Sequence, residues 1–355
     1  MRISADNADE YMGTDNINET PFVSILIPTL NAGRVLGMCL QSISTQDYPK
    51  EKVEVIIADG GSTDNTLEIV KKYRAKIYKN KLITAESGKA EALRHASGEI
   101  IALIDSDNIL PDTNWLLRLT APFLDKVIMG SEPWEYTYRK QDSLVNRYCA
   151  LMGMNDPYVY FVGNYDRICV LSGKWTGIRL KEENEGDYLK VTIDGNLLST
   201  IGANGALWRK AILKKAVGDN DYLFDTDVPY TVLDQNNPYY YAKVKTGIIH
   251  LYCHQIKDFI RKQKRRAKDF FYLENKGQRT RTFQSIFSKQ AQFILSTIII
   301  IPLLVQSVKG YLKKPDLSVW LFHPLACWIT LWIYSTETIK ALIKPTQMNR
   351  VNWQK

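Results

Sequence analysis

The segment EIIALIDSDN, residues 99–108, decides the fold that we expect from this sequence. Residues 100–104 are all apolar, and such a short continuous run is typical of a strand buried on both faces of a parallel sheet. The run stops at Asp105, Ser106 and Asp107. Side chains two residues apart in an extended segment point the same way, so both carboxylates are predicted to lie together beyond the strand. In open α/β sheets, ligands bind at this edge.

Two readings of this acidic tetrad compete. Converging carboxylates repel each other unless a cation lies between them, and hard oxygen ligands suit Mg²⁺ or Mn²⁺ that carries substrate phosphates. The sequence Asp-Ser-Asp-Asn is equally typical of a plain turn that leads into a helix starting near residues 112–115. Taken alone, the tetrad favours the turn, so the rest of the chain has to decide between them.

Composition bounds the possible classes of protein. The 355 residues are enough for one large domain with appendages or for two domains, and 46 basic against 38 acidic residues give a formal charge of +8. Ten Lys or Arg lie within residues 257–281. The five cysteines are scattered without CxxC spacing, so neither a zinc site nor a disulfide framework is predicted. We therefore expect the catalytic part to lie in a reducing compartment. Residues 1–20 are polar, so we expect a flexible lead rather than a signal peptide.

The first hundred residues alternate between strand and helix patterns. Strands are predicted at residues 22–28, 52–58, 75–78 and 99–105, with helices between them, which is the pattern of a doubly wound α/β sheet with parallel strands. Asp59 and Asp105 would then reach the same edge of the sheet. The glycine that follows, Gly60, permits close approach of a nucleotide to the backbone, and it also suits a tight turn.

Three segments together carry a specific resemblance: VSILIPTLNAG (23–33), VEVIIADGGSTDNT (53–66) and SGKAEALRHASGEIIALIDSDN (87–108). In this order and spacing they resemble the nucleotide-sugar-binding half of a family 2 glycosyltransferase. The resemblance covers roughly residues 22–131 and implies the GT-A fold, a Rossmann-like α/β domain with a mostly parallel sheet.

The resemblance also implies roles for single residues. Pro28 and Thr29 would line the nucleotide base, Asp59 would hydrogen-bond it, and Lys89 would lie near the nucleotide. Asp105 and Asp107 would form the metal-binding acid pair, with Asp107 on the metal at the diphosphate and Asp105 near ribose and metal. The complete predicted nucleotide-sugar site is Pro28, Thr29, Asn31, Asp59, Gly60, Lys89, Asp105, Ser106, Asp107, Gly202 and Asn204. The implied cofactor is Mn²⁺ or Mg²⁺.

The later part of the chain supplies candidates for the acceptor side. Residues 199–212 resemble the family's glycine-rich segment, in which Gly202 and Asn204 allow close approach to the donor sugar. Asp225 stands where the family places its catalytic base, although Phe224 replaces the usual Glu. Asp227 is the alternative base, and a helix cap is the structural alternative for either acid. His250 is a possible further metal ligand or a purely structural histidine.

The remaining middle segment, residues 132–192, departs from the simple family plan. It mixes aromatic and polar residues, which suits either stacking on sugar rings of an acceptor or a packed insertion with polar tips. We expect it to shape acceptor specificity within a catalytic domain spanning residues 21–254.

The end of the chain points to a membrane. Residues 255–289 begin with a basic amphipathic pattern that suits an anionic membrane surface, with a solvated helix or nucleic-acid binding as alternatives. Residues 290–308 and 317–336 lack charged residues and approach the ~20 residues that cross a bilayer, which predicts a transmembrane hairpin over residues 290–336. The alternative is a buried or interfacial helical pair.

Charge around this hairpin predicts its orientation. Basic residues before it, and Lys340, Lys344, Arg350 and Lys355 after it, outnumber those in the connection, Lys309, Lys313 and Lys314. The positive-inside rule then predicts a multi-pass protein whose catalytic domain and tail, residues 337–355, face the cytoplasm.

The sequence thus predicts a membrane-anchored, metal-dependent, inverting glycosyltransferase. Its expected partners are a UDP- or GDP-sugar, a lipid-linked acceptor such as a polyprenyl phosphate or lipid-linked glycan, and membrane lipids, with no nucleic acid. One alternative is a polysaccharide-extending synthase, although Ala267 stands where the Gln-x-x-Arg-Trp motif of such enzymes has Trp. A non-catalytic nucleotide-binding membrane scaffold is the other.

Overall fold

The computed structural model describes residues 20–194, 200–232, 238–276 and 287–343. Nearly all of the predicted flexible lead lies outside these residues, as do Ser199 and the tail residues Lys344, Arg350 and Lys355. The chain divides into two compact units. The first comprises Met1–Trp134 and Arg179–His250, and the second comprises Glu135–Ile178 and Leu251–Lys355. The predicted insertion at residues 132–192 contributes to both units.

Strands and helices alternate in the first half of the chain, as expected. The strands are β1 (Val23–Thr29), β2 (Val53–Asp59), β3 (Lys76–Lys79), β4 (Ile100–Leu103), β5 (Asn108–Ile109), β6 (Ile128–Tyr136), β7 (Glu182–Asn184), β8 (Tyr188–Ile193), β9 (Ala206–Arg209) and β10 (Tyr239–His250). The helices are α1 (Leu36–Ser44), α2 (Thr66–Lys72), α3 (Ala85–Arg94), α4 (Trp115–Thr120), α5 (Leu144–Met152), α6 (Pro157–Val162), α7 (Lys210–Val217), α8 (Val228–Val232), α9 (Ile256–Lys276), α10 (Phe287–Ile299), α11 (Ile301–Lys313) and α12 (Leu317–Ile343).

The sheet of the first unit is mixed. Its strand order is β3-β2-β1-β4-β9-β6-β10-β8-β7, with β5 paired to β10. The first four strands are parallel, which confirms the predicted α/β fold, because helices α1 to α3 carry the chain back between them. β9 pairs antiparallel with β4, and β8 pairs antiparallel with β10. The carboxyl ends of β1, β2 and β4 therefore meet at one edge.

The acidic tetrad after β4 is a turn, so the predicted extended geometry of residues 105–107 is wrong. β4 already ends at Leu103. The Asn108 N–H donates to the Asp105 carbonyl at 2.9 Å, and the Asp105 N–H donates to Asn108 Oδ1 at 3.0 Å. An asparagine side chain that accepts a nearby backbone N–H competes with strand pairing in this way. The four residues therefore form a turn, the two carboxylates meet different partners, and the metal site at Asp105 and Asp107 stays a prediction.

The second unit is helical. Its buried core includes Tyr148, Phe259, Trp320 and Phe322. Phe259 of α9 packs edge-on against Phe322 of α12, with ring centroids 5.9 Å apart. The buried His323 side chain of α12 lies 2.9 Å from the Tyr148 hydroxyl and 2.8 Å from Gln306 Oε1. Both apolar packing and hydrogen bonds therefore join α12 to its neighbours.

The predicted two-helix transmembrane hairpin over residues 290–336 is not confirmed. The predicted first span is divided into α10 and α11, which meet at an angle of 89°. The break falls at Ile300, with φ of +65°, just before Pro302, because proline lacks an N–H and clashes with the carbonyl four residues earlier. Within the described residues, α12 is the one unbroken helix long and apolar enough to cross a membrane.

A buried carboxylate joins the strands of the first unit. Glu54 on β2 lies opposite Ser24 on β1 and accepts hydrogen bonds from Ser24 Oγ at 2.5 Å and the Ser97 N–H at 2.6 Å. Lys76 Nζ of β3 lies 2.6 Å away. Burial alone would raise the pKa of Glu54, but the bonds from Lys76, Ser24 and Ser97 outweigh burial and lower it.

We expect Glu54→Gln to lower the free energy of unfolding by about 2 kcal/mol at pH 7, because charge-assisted hydrogen bonds are replaced by neutral ones. Since the folded pKa is lowered, this stabilisation is fully present above the unfolded pKa near 4.5 and is lost as the pH falls through the folded value. Thermal denaturation between pH 3 and pH 7 measures the difference. Glu68→Gln, at an exposed position on α2, is the control. A deficit that is independent of pH would contradict this account.

Candidate active site

Asp59 organises the loop at the ends of β1 and β2. Its carboxylate accepts four hydrogen bonds: from Thr29 Oγ1 at 2.8 Å, from Ser62 Oγ at 2.6 Å, and from the N–H groups of Gly61 and Ser62 at 2.9 and 2.8 Å. Gly61 adopts a φ of +97°, which a glycine tolerates and other residues avoid. The predicted base-binding residues Thr29 and Asp59 are therefore brought together, with Gly60 beside them.

Asn31 connects this loop to the one that follows β1. Its backbone N–H donates to Ser62 Oγ at 2.8 Å, and its side-chain Oδ1 accepts from the Thr63 N–H at 2.8 Å. Asn31 itself has a φ of +50°, a left-handed conformation that asparagine adopts more readily than most residues. The two loops that begin at the strand ends thus hold each other in place.

Helix α3 brings Lys89 to the same edge of the sheet. Thr84 caps the helix by accepting from the Ser87 N–H at 3.1 Å. A Cβ on Gly88 would lie 2.8 Å from the Pro28 Cβ, so only glycine lets the helix start this close to the end of β1. As a result Lys89 lies buried beside the strand ends.

Lys89 is shared by two carboxylates from distant parts of the chain. Its Nζ lies 2.6 Å from Asp225 Oδ2 and 3.3 Å from Asp105 Oδ1. The Lys89 side chain is 5% exposed, whereas those of Asp105 and Asp225 are 31% and 21% exposed. Burial would lower the pKa of Lys89, but the charges of Asp105 and Asp225 outweigh burial and raise it, so the ammonium is protonated at neutral pH.

The position of Asp225 depends on two backbone contacts. The Leu223 N–H donates to the Glu86 carbonyl of α3 at 3.0 Å, and a Cβ on Gly202 would lie 2.6 Å from the Asp225 carbonyl oxygen. Gly202, with φ of +108°, therefore lets the glycine-rich segment pass directly against Asp225. Asp227 shares the short 3₁₀ helix Asp225–Asp227, but it is 4% exposed. Of the two predicted bases, Asp225 presents more of its carboxylate to solvent.

The second acid of the turn meets the predicted histidine. Pairing of β5 with β10 sets His250 opposite Asn108, and the His250 Nε2 lies 3.5 Å from Asp107 Oδ1. Asn108 also reaches the glycine-rich segment, since its Nδ2 donates to Asn204 Oδ1 at 3.5 Å. Over the residues that the structure describes, no group of three or more His, Cys, Asp or Glu side chains is assembled as a metal site.

Two residues that support the site are missing from the sequence prediction. Glu132 and Lys243 form a fully buried ion pair at 2.7 Å, and Glu132 also accepts the Gly202 N–H at 2.9 Å. This pair therefore holds the glycine-rich segment that passes Asp225. Lys243 lies in the strand sequence YYYAKVKTGIIH, where a lysine is typical of a solvated face, so no local signal reveals it.

The sequence comparison agrees with this arrangement. Residues 24–212, more than half of the chain, match the family described as glycosyl transferase family 2. The chain belongs to glycosyl transferase family 2.

Several relatives are similar over part of the chain. The poly(ribitol-phosphate) beta-N-acetylglucosaminyltransferase TarS of Staphylococcus aureus is 36% identical over 109 residues, or 29% of this chain and 19% of TarS. The glycosyltransferase AglE of Haloferax volcanii is 31% identical over 145 residues, or 38% of this chain and 46% of AglE. The chain therefore aligns with less than half the length of these relatives. Among solved structures, the mannosyltransferase PcManGT from Pyrobaculum calidifontis, in complex with GDP-Man and Mn²⁺, aligns over 93% of both chains with 16% identity and a TM-score of 0.48.

We expect Lys89→Met to lower the free energy of unfolding by about 2 kcal/mol at pH 7, because Asp105 and Asp225 lose the buried cation between them. Partial exposure of both acids keeps the effect below that of a fully buried pair. Since the pKa of Lys89 is raised, its contribution is present below about pH 10 and disappears above the folded value. Thermal denaturation measures the change, and Lys79→Met, on the exposed side of β3, is the control. Equal melting temperatures for the two variants would contradict the shared ion pair.

Proposed function

We propose that this chain catalyses inverting, metal-dependent transfer of a sugar from a UDP- or GDP-sugar. The observation that carries the proposal is the cluster of Lys89, Asp105 and Asp225. In this cluster the candidate base, Asp225, lies beside Lys89, and Lys89 also contacts Asp105, the acid expected near the ribose and the metal. A single displacement needs these groups at one place, since the acceptor attacks as the diphosphate leaves.

On the donor side, we assign the nucleotide to the loops held by Asp59 and Asn31, with Pro28, Thr29 and Gly60 lining it. Asp107 and His250 would hold Mn²⁺ or Mg²⁺, together with Asp105 or oxygens of the donor. Their carboxylate and imidazole donors suit Mn²⁺, and the 22% exposure of the Asp107 side chain leaves it accessible to a ligand. The ion supplies Lewis-acid stabilisation of the leaving diphosphate.

On the acceptor side, we assign the base to Asp225. Its carboxylate would accept the proton of an acceptor hydroxyl while the oxygen attacks the anomeric carbon, and Gly202 and Asn204 would leave room for the sugar. Lys89 lies 2.6 Å from Asp225 and would offer its ammonium to the diphosphate. An ammonium close to a developing phosphate charge stabilises it most where water is excluded, and Lys89 is buried.

A lipid-linked acceptor at the cytoplasmic face of a membrane is the acceptor class that we propose. One relative, a dolichyl N-acetyl-alpha-D-glucosaminyl phosphate 3-beta-D-2,3-diacetamido-2,3-dideoxy-beta-D-glucuronosyltransferase of Methanococcus voltae, is 35% identical over 102 residues. Its name describes a lipid-linked substrate, which supports this choice. The apolar α12 and the basic α9 of the second unit support a membrane location.

We expect Asp107→Ala to abolish metal-dependent nucleotide binding and sugar transfer together, because it removes a carboxylate ligand of the metal. Calorimetric titration of the purified protein with UDP and GDP, with and without Mn²⁺, measures binding. A panel of labelled UDP- and GDP-sugars with a lipid extract measures transfer. The control is Asp219→Asn, at an exposed position after α7. Wild-type protein that binds nucleotide but turns over no sugar would indicate the scaffold instead, and transfer to soluble acceptors alone would refute the lipid-linked acceptor.

We expect Asp225→Asn to lower kcat by roughly 10²–10⁴-fold while nucleotide binding stays close to the wild-type level, since an amide cannot take the acceptor proton. Steady-state transfer and calorimetry on the same preparation separate the two effects. Asp227→Asn is the matched comparison and should retain most of the activity. Full activity in Asp225→Asn combined with loss in Asp227→Asn would move the base to Asp227.

A further inference from the structure

Helix α12 exposes an apolar face, and its mainly apolar buried face also contains polar residues. The polar residues His323, Thr330 and Glu337 are on its buried face, with exposures of 0, 0 and 5%. The exposed face is apolar and carries Leu321, Leu325, Trp328, Trp332, Ile339 and Leu342, which are 39 to 83% exposed. An exposed apolar strip of this length requires a cover.

Helices α10 and α11 also expose apolar residues. Exposed residues there include Leu295, Ile298, Ile301, Leu304, Val308 and Leu312, which are 49 to 77% exposed. The 89° angle between α10 and α11 rules out one straight span through both helices. Three helices of the second unit thus expose apolar side chains.

The packing of α12 opposes a path across the bilayer. Near its start, Asp316 binds Arg147, and the Asp316 carboxylate accepts from the Tyr138 hydroxyl at 2.9 Å. Further along, the Tyr334 hydroxyl binds Asp156 and lies 3.4 Å from Gln263 Oε1 on α9. Polar partners therefore accompany α12 from its beginning to Tyr334. If α12 crossed the hydrocarbon, these partners would have to enter with it, at a high cost in desolvation.

Helix α9 makes the constraint stronger. It packs along α12 through Phe259 and Gln263, while its other face exposes a set of cations: Lys257, Arg261, Lys264, Arg265 and Lys268. A helix with this many charges lies stably at the level of lipid headgroups and not in the hydrocarbon core. Exposed Lys289, Lys309 and Lys340 add positive charge on the apolar helices themselves. The partner that contacts this surface must therefore offer both apolar groups and negative charge, and an anionic lipid leaflet offers both.

We propose that α10, α11 and α12 lie in the plane of one leaflet of an anionic membrane, so that the second unit is monotopic and does not span the bilayer. Apolar side chains of α12 enter the acyl region, and the cations of α9 meet lipid phosphates. The inference rests on the membrane location in the proposed function, and it is independent of the sugar-transfer chemistry.

Cysteine labelling at the two ends of α12 tests this arrangement in sealed inside-out membrane vesicles that contain the full chain. The five native cysteines are buried, so the folded protein contributes little background. Lys314→Cys and Lys340→Cys, at exposed polar positions near the two ends of α12, are labelled with a membrane-impermeant maleimide, and Lys71→Cys, exposed on α2, reports the side of the first unit. We expect both ends to react from the same side as Lys71→Cys, to within about twofold. Labelling of the two ends from opposite sides would overturn the proposal.

Vesicle sedimentation tests the occupant of the apolar surface independently of activity. The full chain, freed from detergent, is mixed with vesicles of phosphatidylcholine alone or with phosphatidylglycerol. The double variant Leu321→Ser/Trp332→Ser should bind phosphatidylglycerol vesicles roughly tenfold more weakly. The control Ile77→Ser/Leu82→Ser changes exposed apolar residues of the first unit and should bind like the wild type. Equal binding to both kinds of vesicle at every salt concentration would refute the anionic leaflet. A dimer in sedimentation velocity that the double variant abolishes would show that a second copy covers the apolar surface, and would also refute the leaflet.

Discussion

The site depends on the ion pairs that the buried ammonium of Lys89 makes with Asp105 and Asp225. This ammonium compensates carboxylates from the turn after β4 and from the 3₁₀ helix that contains Asp225, and it enters on a third element, α3. Without this cation, the two acids at this edge would repel each other. The close contact of Gly88 with Pro28 and the capping box at Thr84 therefore matter for chemistry as well as for folding.

The two units expose different kinds of surface. The sheet of the first unit buries its apolar residues and keeps a polar edge for ligands. The second unit buries His323 and Glu337 of α12 and exposes leucine and tryptophan. The length and apolar composition of α12 would allow it to cross a membrane, and its polar partners bear on the direction it could take.

Those features of the fold and the site that depend on local sequence patterns could be predicted. The parallel strands, the acids at their ends and the position of Lys89 follow from apolar runs and the three family-like segments. The turn at residues 105–108 was underestimated because the Asn108 side chain outcompetes strand geometry. The contact of Lys89 with Asp225 joins residues 136 positions apart, and no local pattern encodes such a pairing. Pro302 is visible in the sequence as a site of bending, but hydropathy counts apolar residues and does not give the 89° angle that divides the predicted span.

The buried pair of Glu132 and Lys243 restricts how this family member can diverge. Loss of either partner leaves one charge uncompensated in the interior, whereas replacement of both by apolar residues of similar size is often tolerated. However, Glu132 also accepts the Gly202 N–H, so an apolar pair would leave that group without its acceptor. Positions 132, 202 and 243 are therefore expected to vary as a set of three among related chains, and not as three separate sites.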